Sequence, residues 1–200
     1  AMVLPFLDYL KRKGSLEILL FILLFKIGDN LATNLVTPFY VKMGYTLTEI
    51  SMVGKMVGFW ATFIGSFIGG AILLKFNIRH CLLFFGILQA VSTLTFVLLN
   101  DVAPDLWKLG FVVAFENITS GMGTAAFSAF MLMLCNRSFS ATQFALLTSF
   151  MGIPRSFLPA FAGYIAEPLG WELFFIISTL IAVPGLLMII FRAKKWEMAT

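Results

Sequence analysis

The sequence predicts an all-α integral membrane protein of six transmembrane helices. Three features carry that prediction: composition, the lengths of the apolar runs and the placement of basic residues. Of the 200 residues, 60% are hydrophobic and 12% charged, with a mean hydropathy of +0.97, whereas an ordinary soluble domain carries about 25% charged residues. Apolar runs of roughly 18 residues or more, enough for a helix to cross about 30 Å of hydrocarbon, recur between polar breaks. They are Leu16 to Tyr40, Leu47 to Leu74, His80 to Leu99, Trp107 to Leu134, Ala141 to Ala166 and Glu172 to Phe191. The organisation expected is a cytoplasmic connector over 1–15, a six-helix bundle over 16–192 and a cytoplasmic tail over 193–200.

Orientation follows from the basic residues, which short cytoplasmic loops collect. One side receives Lys11, Arg12, Lys13, Lys75, Arg79, Arg137, Arg192, Lys194 and Lys195. The other receives Lys42 and Lys108 with Asp101, Asp105, Glu167 and Glu172, so both termini are expected in the cytoplasm. The net charge of +4 is then a topology signal and implies no nucleic-acid partner. Cys81 and Cys135 fall at cytoplasmic helix ends, where thiols stay reduced, and have no metal-ligand spacing. Ala1 to Leu10 holds Pro5 and Asp8 and does not read as a cleavable signal.

Ionisable residues inside the runs are the candidates for function, because a charge near the bilayer centre costs roughly 2.5 to 3.5 kcal/mol unless it faces a bundle interior or wet cavity. Glu116 lies about nine residues in from Trp107, hence ~13 Å deep at 1.5 Å per residue. It is followed by Asn117 and the glycine-rich Ser120-Gly121-Met122-Gly123-Thr124. On the first helix Lys26 and Asp29, at i and i+3, share a face and can pair, with Asn30, Thr33 and Asn34 extending a polar stripe. Either the pair serves function or it only neutralises itself and orients the helix.

The second helix opens with Thr46-Leu47-Thr48-Glu49, a capping-box pattern. Its repeats Gly54-x-x-x-Gly58 and Gly65-x-x-x-Gly69 suit close helix packing. Lys55 either snorkels outward or points into the cavity with Glu116. His80 reads as a surface residue beside a tight basic turn. The third helix, whose polar content is Gln89, Ser92, Thr93 and Thr95, reads as scaffold. Ser140 is placed to cap the fifth helix. Gly152-Ile153-Pro154-Arg155 and Pro159 are expected to interrupt that helix near mid-depth, with Arg155 inside the break facing a carboxylate or an anionic ligand. Broken helices with charge at mid-depth point to a transporter site. Pro184 and Gly185 suggest a kink in the sixth helix.

The loop Gly70 to Arg79 is a weakened form of the glycine-acid-basic loop of major facilitator superfamily transporters, with Leu74 where the acid is expected and Asn77 where a glycine is. More specific are Lys26-Ile27-Gly28-Asp29, Phe84-Phe85-Gly86-Ile87-Leu88-Gln89, Phe115-Glu116-Asn117, Gly121-Met122-Gly123-Thr124, Gly170-Trp171 and the long stretch from Leu134 to Leu147. In these the chain resembles the C-terminal half of AmpG-type muropeptide permeases, which belong with acetyl-CoA transporters in that superfamily. The resemblance implies one half of a twelve-helix fold, a 3+3 inverted repeat, with residues 1–15 resembling the connector between halves. It also implies proton-coupled import (symport) of anionic anhydro-muropeptides across the bacterial inner membrane for peptidoglycan recycling, with lipid as surroundings and no cofactor. Because one bundle is present where such transporters use two, the chain is expected to be a fragment or split gene product, or a half-transporter that pairs with an N-terminal half or a second copy.

On this reading the substrate-binding candidates are Lys26, Asn30, Lys55, Asn117 and Arg155, and the proton-coupling candidates Asp29 and Glu116. The five charges taken as one set leave about one excess positive charge, which suits peptide carboxylates. Burial and a nearby cation act oppositely on a carboxyl's proton affinity, which lets Glu116 exchange a proton as the cavity opens to either side. The alternatives are a Glu116 that only ties two helices through Arg155, another anionic solute such as acetyl-CoA, and a non-transporting assembly subunit. An intramembrane enzyme is disfavoured: there is no His-Glu-x-x-His, no serine in a Gly-x-Ser-x-Gly setting and no histidine at membrane depth.

Overall fold

The computed structural model describes residues 8–9, 14–100 and 103–197, and within these all side chains except those of 159–161, 164–165 and 193–197. Most of the expected connector (1–7 and 10–13) and the end of the tail lie outside the described residues. Among the described residues every regular element is helical. They are α1 (Ser15–Asn34), α2 (Val36–Lys42), α3 (Leu47–Val53), a π-helical turn (Gly54–Gly58), α4 (Phe59–Leu73), α5 (Ile78–Thr95) with a 3-10 extension (Phe96–Leu99), α6 (Leu106–Met133), a 3-10 turn (Arg137–Phe139) and α7 (Ser140–Glu197).

The first apolar run is two helices rather than one, joined at Leu35 (φ −105°, ψ 5°). Pro38 supplies the cause: it has no amide to give the carbonyl of Asn34 and its ring crowds that carbonyl. The Thr46–Glu49 capping box forms as read, with Thr46 N donating to Glu49 Oε2 (2.8 Å) and Glu49 N donating to Thr46 Oγ1 (3.3 Å). Asn77 caps α5 by accepting from Arg79 N (2.9 Å). At the next hairpin the cap is Asn136, which accepts from Ser138 N (3.1 Å). The expected cap, Ser140, already has helical dihedrals because the 3-10 turn starts the helix three residues sooner.

Two further expectations are corrected. The helix holding Gly152-Ile153-Pro154-Arg155 and Pro159 is not interrupted there: the one non-helical residue in α7 is Gly170 (φ 79°, ψ 164°). Proline's fixed φ is compatible with a helix, so each proline removes an amide without breaking the backbone path. Gly170, in a conformation that favours glycine, turns the chain instead and divides α7 into an N-terminal and a C-terminal arm. Pro184 and Gly185 also lie in unbroken helix. Gly185 serves close packing, since an added Cβ would stand 2.9 Å from Phe25 Cα.

The bundle is assembled through such small residues. A Cβ on Gly28 would stand 2.5 Å from Ser178 O, which together with Gly185 draws α1 onto the C-terminal arm of α7. A Cβ on Gly65 would collide with the backbone of Ile118, one on Gly69 would stand 2.8 Å from Met122 Cα, and one on Gly121 would stand 2.5 Å from Thr62 O. Thus α4 and α6 meet nearly backbone to backbone, the geometry the Gly65-x-x-x-Gly69 repeat predicts. The repeat Gly54-x-x-x-Gly58 behaves differently: Gly54 faces open space, and the segment widens into the π turn, a feature common at functional sites.

Two apolar clusters fill the interior. One holds Phe21, Phe25, Phe85, Phe127 and Phe130, with Phe25 stacked on Phe127 at a centroid distance of 4.9 Å. The other holds Leu31, Phe39, Phe96, Val112, Phe174 and Phe175, with Phe96 stacked on Phe175 at 4.9 Å. The outside is apolar too. Phe59, Phe63, Phe67 and Phe76 are exposed, as a lipid-facing surface requires. Three helical stretches, Leu47–Leu73, Ile78–Leu99 and Ala166–Arg192, are long and apolar enough to cross a membrane. Leu106–Met133 and Arg137–Leu158, bent by 110° at their hairpin, reach that level when counted together. The polar residues inside α1 and α6 dilute their hydropathy.

The close approach of α4 and α6 predicts opposite effects at two glycines on one helix. Gly65→Ala should lower stability by roughly 1 to 3 kcal/mol through overpacking. Gly70→Ala, where an added Cβ meets nothing within 4 Å, should leave stability unchanged or raise it by about 0.4 to 1 kcal/mol. Thermal unfolding of the two variants in one detergent checks the contrast.

Candidate functional site

Between the two apolar clusters lies a layer of polar side chains. Along α1 the chain passes from Phe21 and Phe25 through Lys26, Asp29 and Asn30 to Leu31; along α6 it passes from Val112 and Val113 through Glu116, Asn117 and Thr119 to Met122 and Ala126. On α5, Gln89, Ser92 and Thr93 fall between Phe85 and Phe96, and on α7, Ser178 falls between Phe175 and Ile189. Apolar packing at both ends therefore leaves one mid-bundle level where polar groups meet.

At its centre Lys26 Nζ donates to Asp29 Oδ2 at 3.2 Å, with the side chains 8% and 14% exposed. Three residues on a helix bring the two heads to one face, and burial on that scale makes pairing a requirement. Glu116, on α6, is close enough to interact electrostatically with both Asp29 and Lys26. The trio sets one cation against two carboxylates. It carries one net negative charge with both acids ionised and none after taking up a proton.

Around the trio the hydroxyl groups are tied down. Thr119 Oγ1 bonds Ser92 Oγ (2.9 Å), linking α6 to α5, and also Glu116 O (2.9 Å). Thr62 Oγ1 donates to Asn117 Oδ1 (2.9 Å), while Asn117 Nδ2 donates to Val113 O (2.8 Å). Asn34 Nδ2 donates to Asn30 O at 2.6 Å. The bonds with Thr62 and Val113 hold the Asn117 side chain at the edge of the layer, and Asn30, like Asn117, is half-buried there.

Of the sequence candidates, the structure brings Lys26, Asp29 and Glu116 together, with Asn30 and Asn117 beside them. It does not bring in Lys55 or Arg155. Both are exposed, Lys55 in the π turn and Arg155 on the N-terminal arm of α7, and neither makes an ion pair with the trio among the described residues. The Glu116–Arg155 tie is likewise not formed among them. His80 is exposed, as read. The residues that sequence reasoning set aside are those of α5: Gln89, Ser92 and Thr93 are buried and line the layer rather than serving as scaffold alone. Their i, i+3, i+4 spacing on one face was the available signal.

A polar layer at the middle of an all-helical bundle with an apolar exterior defines a membrane protein built around a buried site. Residues 10–198 match the Major Facilitator Superfamily, and the chain belongs to that family of transporters, which are not enzymes. It is 40% identical over 198 residues to the anhydromuropeptide permease of Escherichia coli strain K12, covering 98% of this chain and 40% of the relative. It is 34% identical over 195 residues to the putative transporter AmpG 4 of Rickettsia felis, covering 98% of this chain and 47% of the relative. With the putative transporter AmpG 1 of Rickettsia prowazekii it shares 39% identity over 173 residues, covering 86% of this chain and 39% of the relative. The AmpG-type resemblance read from the motifs is thereby borne out. The chain spans less than half the length of these relatives.

The trio predicts non-additive mutant energetics. Lys26→Met, which leaves the Asp29 carboxylate without its cation, should cost roughly 3 to 5 kcal/mol. The double variant Lys26→Met/Asp29→Leu should recover much of that loss. Unfolding midpoints of the two variants against wild type measure the coupling.

Proposed function

We propose that this chain is one half of a proton-coupled permease that imports anionic anhydro-muropeptides across the bacterial inner membrane. In this reading it crosses the bilayer six times as a 3+3 inverted repeat, with both termini cytoplasmic. A second bundle, in a partner chain, a second copy or the remainder of a longer chain, completes the substrate path. The observation that carries the reading is the trio of Lys26, Asp29 and Glu116, a charge set that one proton brings to neutrality within a bundle of a transporter family. The relatives' names support the substrate class, and the share of their length that this chain covers supports a two-bundle site.

Asp29 and Glu116 share the coupling proton. Lys26 is paired with Asp29, and an ionised Glu116 adds a second negative charge within electrostatic reach; protonation of Glu116 removes that attraction and eases the release of Lys26 toward a substrate carboxylate. Asn30 and Asn117 supply neutral hydrogen-bonding groups at the edge. Lys55 and Arg155, exposed on this bundle, meet the substrate or the facing bundle from their own sides. An anionic peptide suits such groups, because each cation engages a carboxylate by a charge-assisted hydrogen bond.

The test is uptake of labelled anhydro-muropeptide into proteoliposomes holding this chain, alone or with the remaining portion of the Escherichia coli relative, under an imposed inward proton gradient. Gradient-dependent accumulation is expected once a second bundle is present. Glu116→Gln should abolish accumulation while preserving exchange of labelled for unlabelled substrate, a separation that identifies a coupling residue. Normal accumulation by that variant would overturn the assignment.

A further inference from the structure

Beside the charged trio, where α1, α5 and the C-terminal arm of α7 converge, lies a small cavity of mixed lining, with Phe25, Ala182 and Leu186 on its apolar side. Gly28, Asp29, Gln89, Thr93, Ser178 and Thr179 contribute to its wall, and about 10 Å³ within it is open to the centre of a water molecule. That is the room one water needs. The close approach at Gly28 is what keeps the space so small.

The hydrogen-bonding groups around the cavity do not balance among themselves. Gln89 is 5% exposed, and its Nε2 has no hydrogen-bond partner among the described residues. Leaving such a donor unmade costs its desolvation. Its amide oxygen is on the α6 side, where a Cβ added at Gly123 would stand 2.9 Å from it. Asp29 Oδ2 is engaged by Lys26, and Oδ1 receives no hydrogen bond from the described residues. The hydroxyls of Thr93, Ser178 and Thr179 already donate to Gln89 O (3.1 Å), Phe174 O (2.8 Å) and Phe175 O (2.9 Å). Each therefore keeps acceptor capacity and has no proton left to offer.

What suits this wall is a small molecule that accepts one hydrogen bond and donates two. A metal cation would face the hydrogens of Gln89 Nε2, and an anion would face the Asp29 carboxylate. We propose that the cavity is a binding site for a single water molecule, which accepts from Gln89 Nε2 and donates to Asp29 Oδ1 and to one of the three hydroxyl oxygens. Through this water Gln89 acts as a positioning residue: Lys26 fixes one oxygen of Asp29 from α1, and the water fixes the other from α5 and α7. The inference stands on the cavity and its wall, whether or not the chain transports.

The test compares wild type with Gln89→Met, a substitution of similar length that removes the amide. If the water is bound, the variant strands it and Asp29 Oδ1, and the unfolding temperature falls. If the site is dry, the variant removes an uncompensated buried amide, the unfolding temperature rises, and the proposal is overturned. A second measurement does not depend on that variant folding. The chain in lipid nanodiscs is equilibrated in H₂¹⁸O, and the infrared difference spectrum is searched for a sharp isotope-shifted O–H stretch of a buried water. Its presence in wild type, with a changed frequency in Asp29→Asn, is the expected result; no such band, or a band indifferent to Asp29→Asn, would overturn the proposal.

Discussion

The buried Lys26–Asp29 pair is the constraint on which the rest of the bundle depends. Two charges removed from water are tolerable only when they face each other and the surrounding groups answer their remaining hydrogen-bonding capacity. The fold meets that condition by gathering further polar groups around the pair at its level and packing aromatic clusters above and below them. Glu116 lies on α6 within electrostatic reach of the pair, so a charge pair made within one helix is felt by another.

Close helix approach is what makes such a narrow layer possible. Gly28 and Gly185 seat α1 against the last arm of α7, and Gly65, Gly69 and Gly121 seat α4 against α6. With no hydrophobic force between helices in lipid, backbone proximity and dispersion supply the association that burial supplies in water. The glycines thus set the distances at which Asp29, Gln89 and Ser178 share one cavity. Packing and the cavity wall are coupled through the same residues, since a methyl at Gly28 would press on Ser178 and Ala182.

Membership in the Major Facilitator Superfamily and similarity to muropeptide permeases give the layer a context. In the proposed reading, a trio that one proton renders neutral links the proton to the availability of Lys26. Its position between two apolar seals fits a site that opens to one side at a time. Lys55 and Arg155 stay exposed and outside the trio.

Much of this was legible in the residues. Composition and run length determined an all-helical membrane chain, because lipid leaves the backbone no partners outside itself. The i, i+3 spacing of Lys26 and Asp29 determined their pairing, and Thr46–Glu49 and Gly65-x-x-x-Gly69 specified local contacts that formed as read. Long-range geometry was not legible. Nothing in the order of residues says that Pro154 leaves its helix unbroken while Gly170 turns the chain, or that Gln89 and Asp29 line one small cavity. Nor does it say that Glu116 lies within electrostatic reach of Lys26 and Asp29 while Arg155 stays exposed. A charge inside an apolar run announces that it needs a partner, but several partners of the right sign are available. The choice among them belongs to the tertiary structure, because interhelical distances set by glycine contacts decide which groups come within reach.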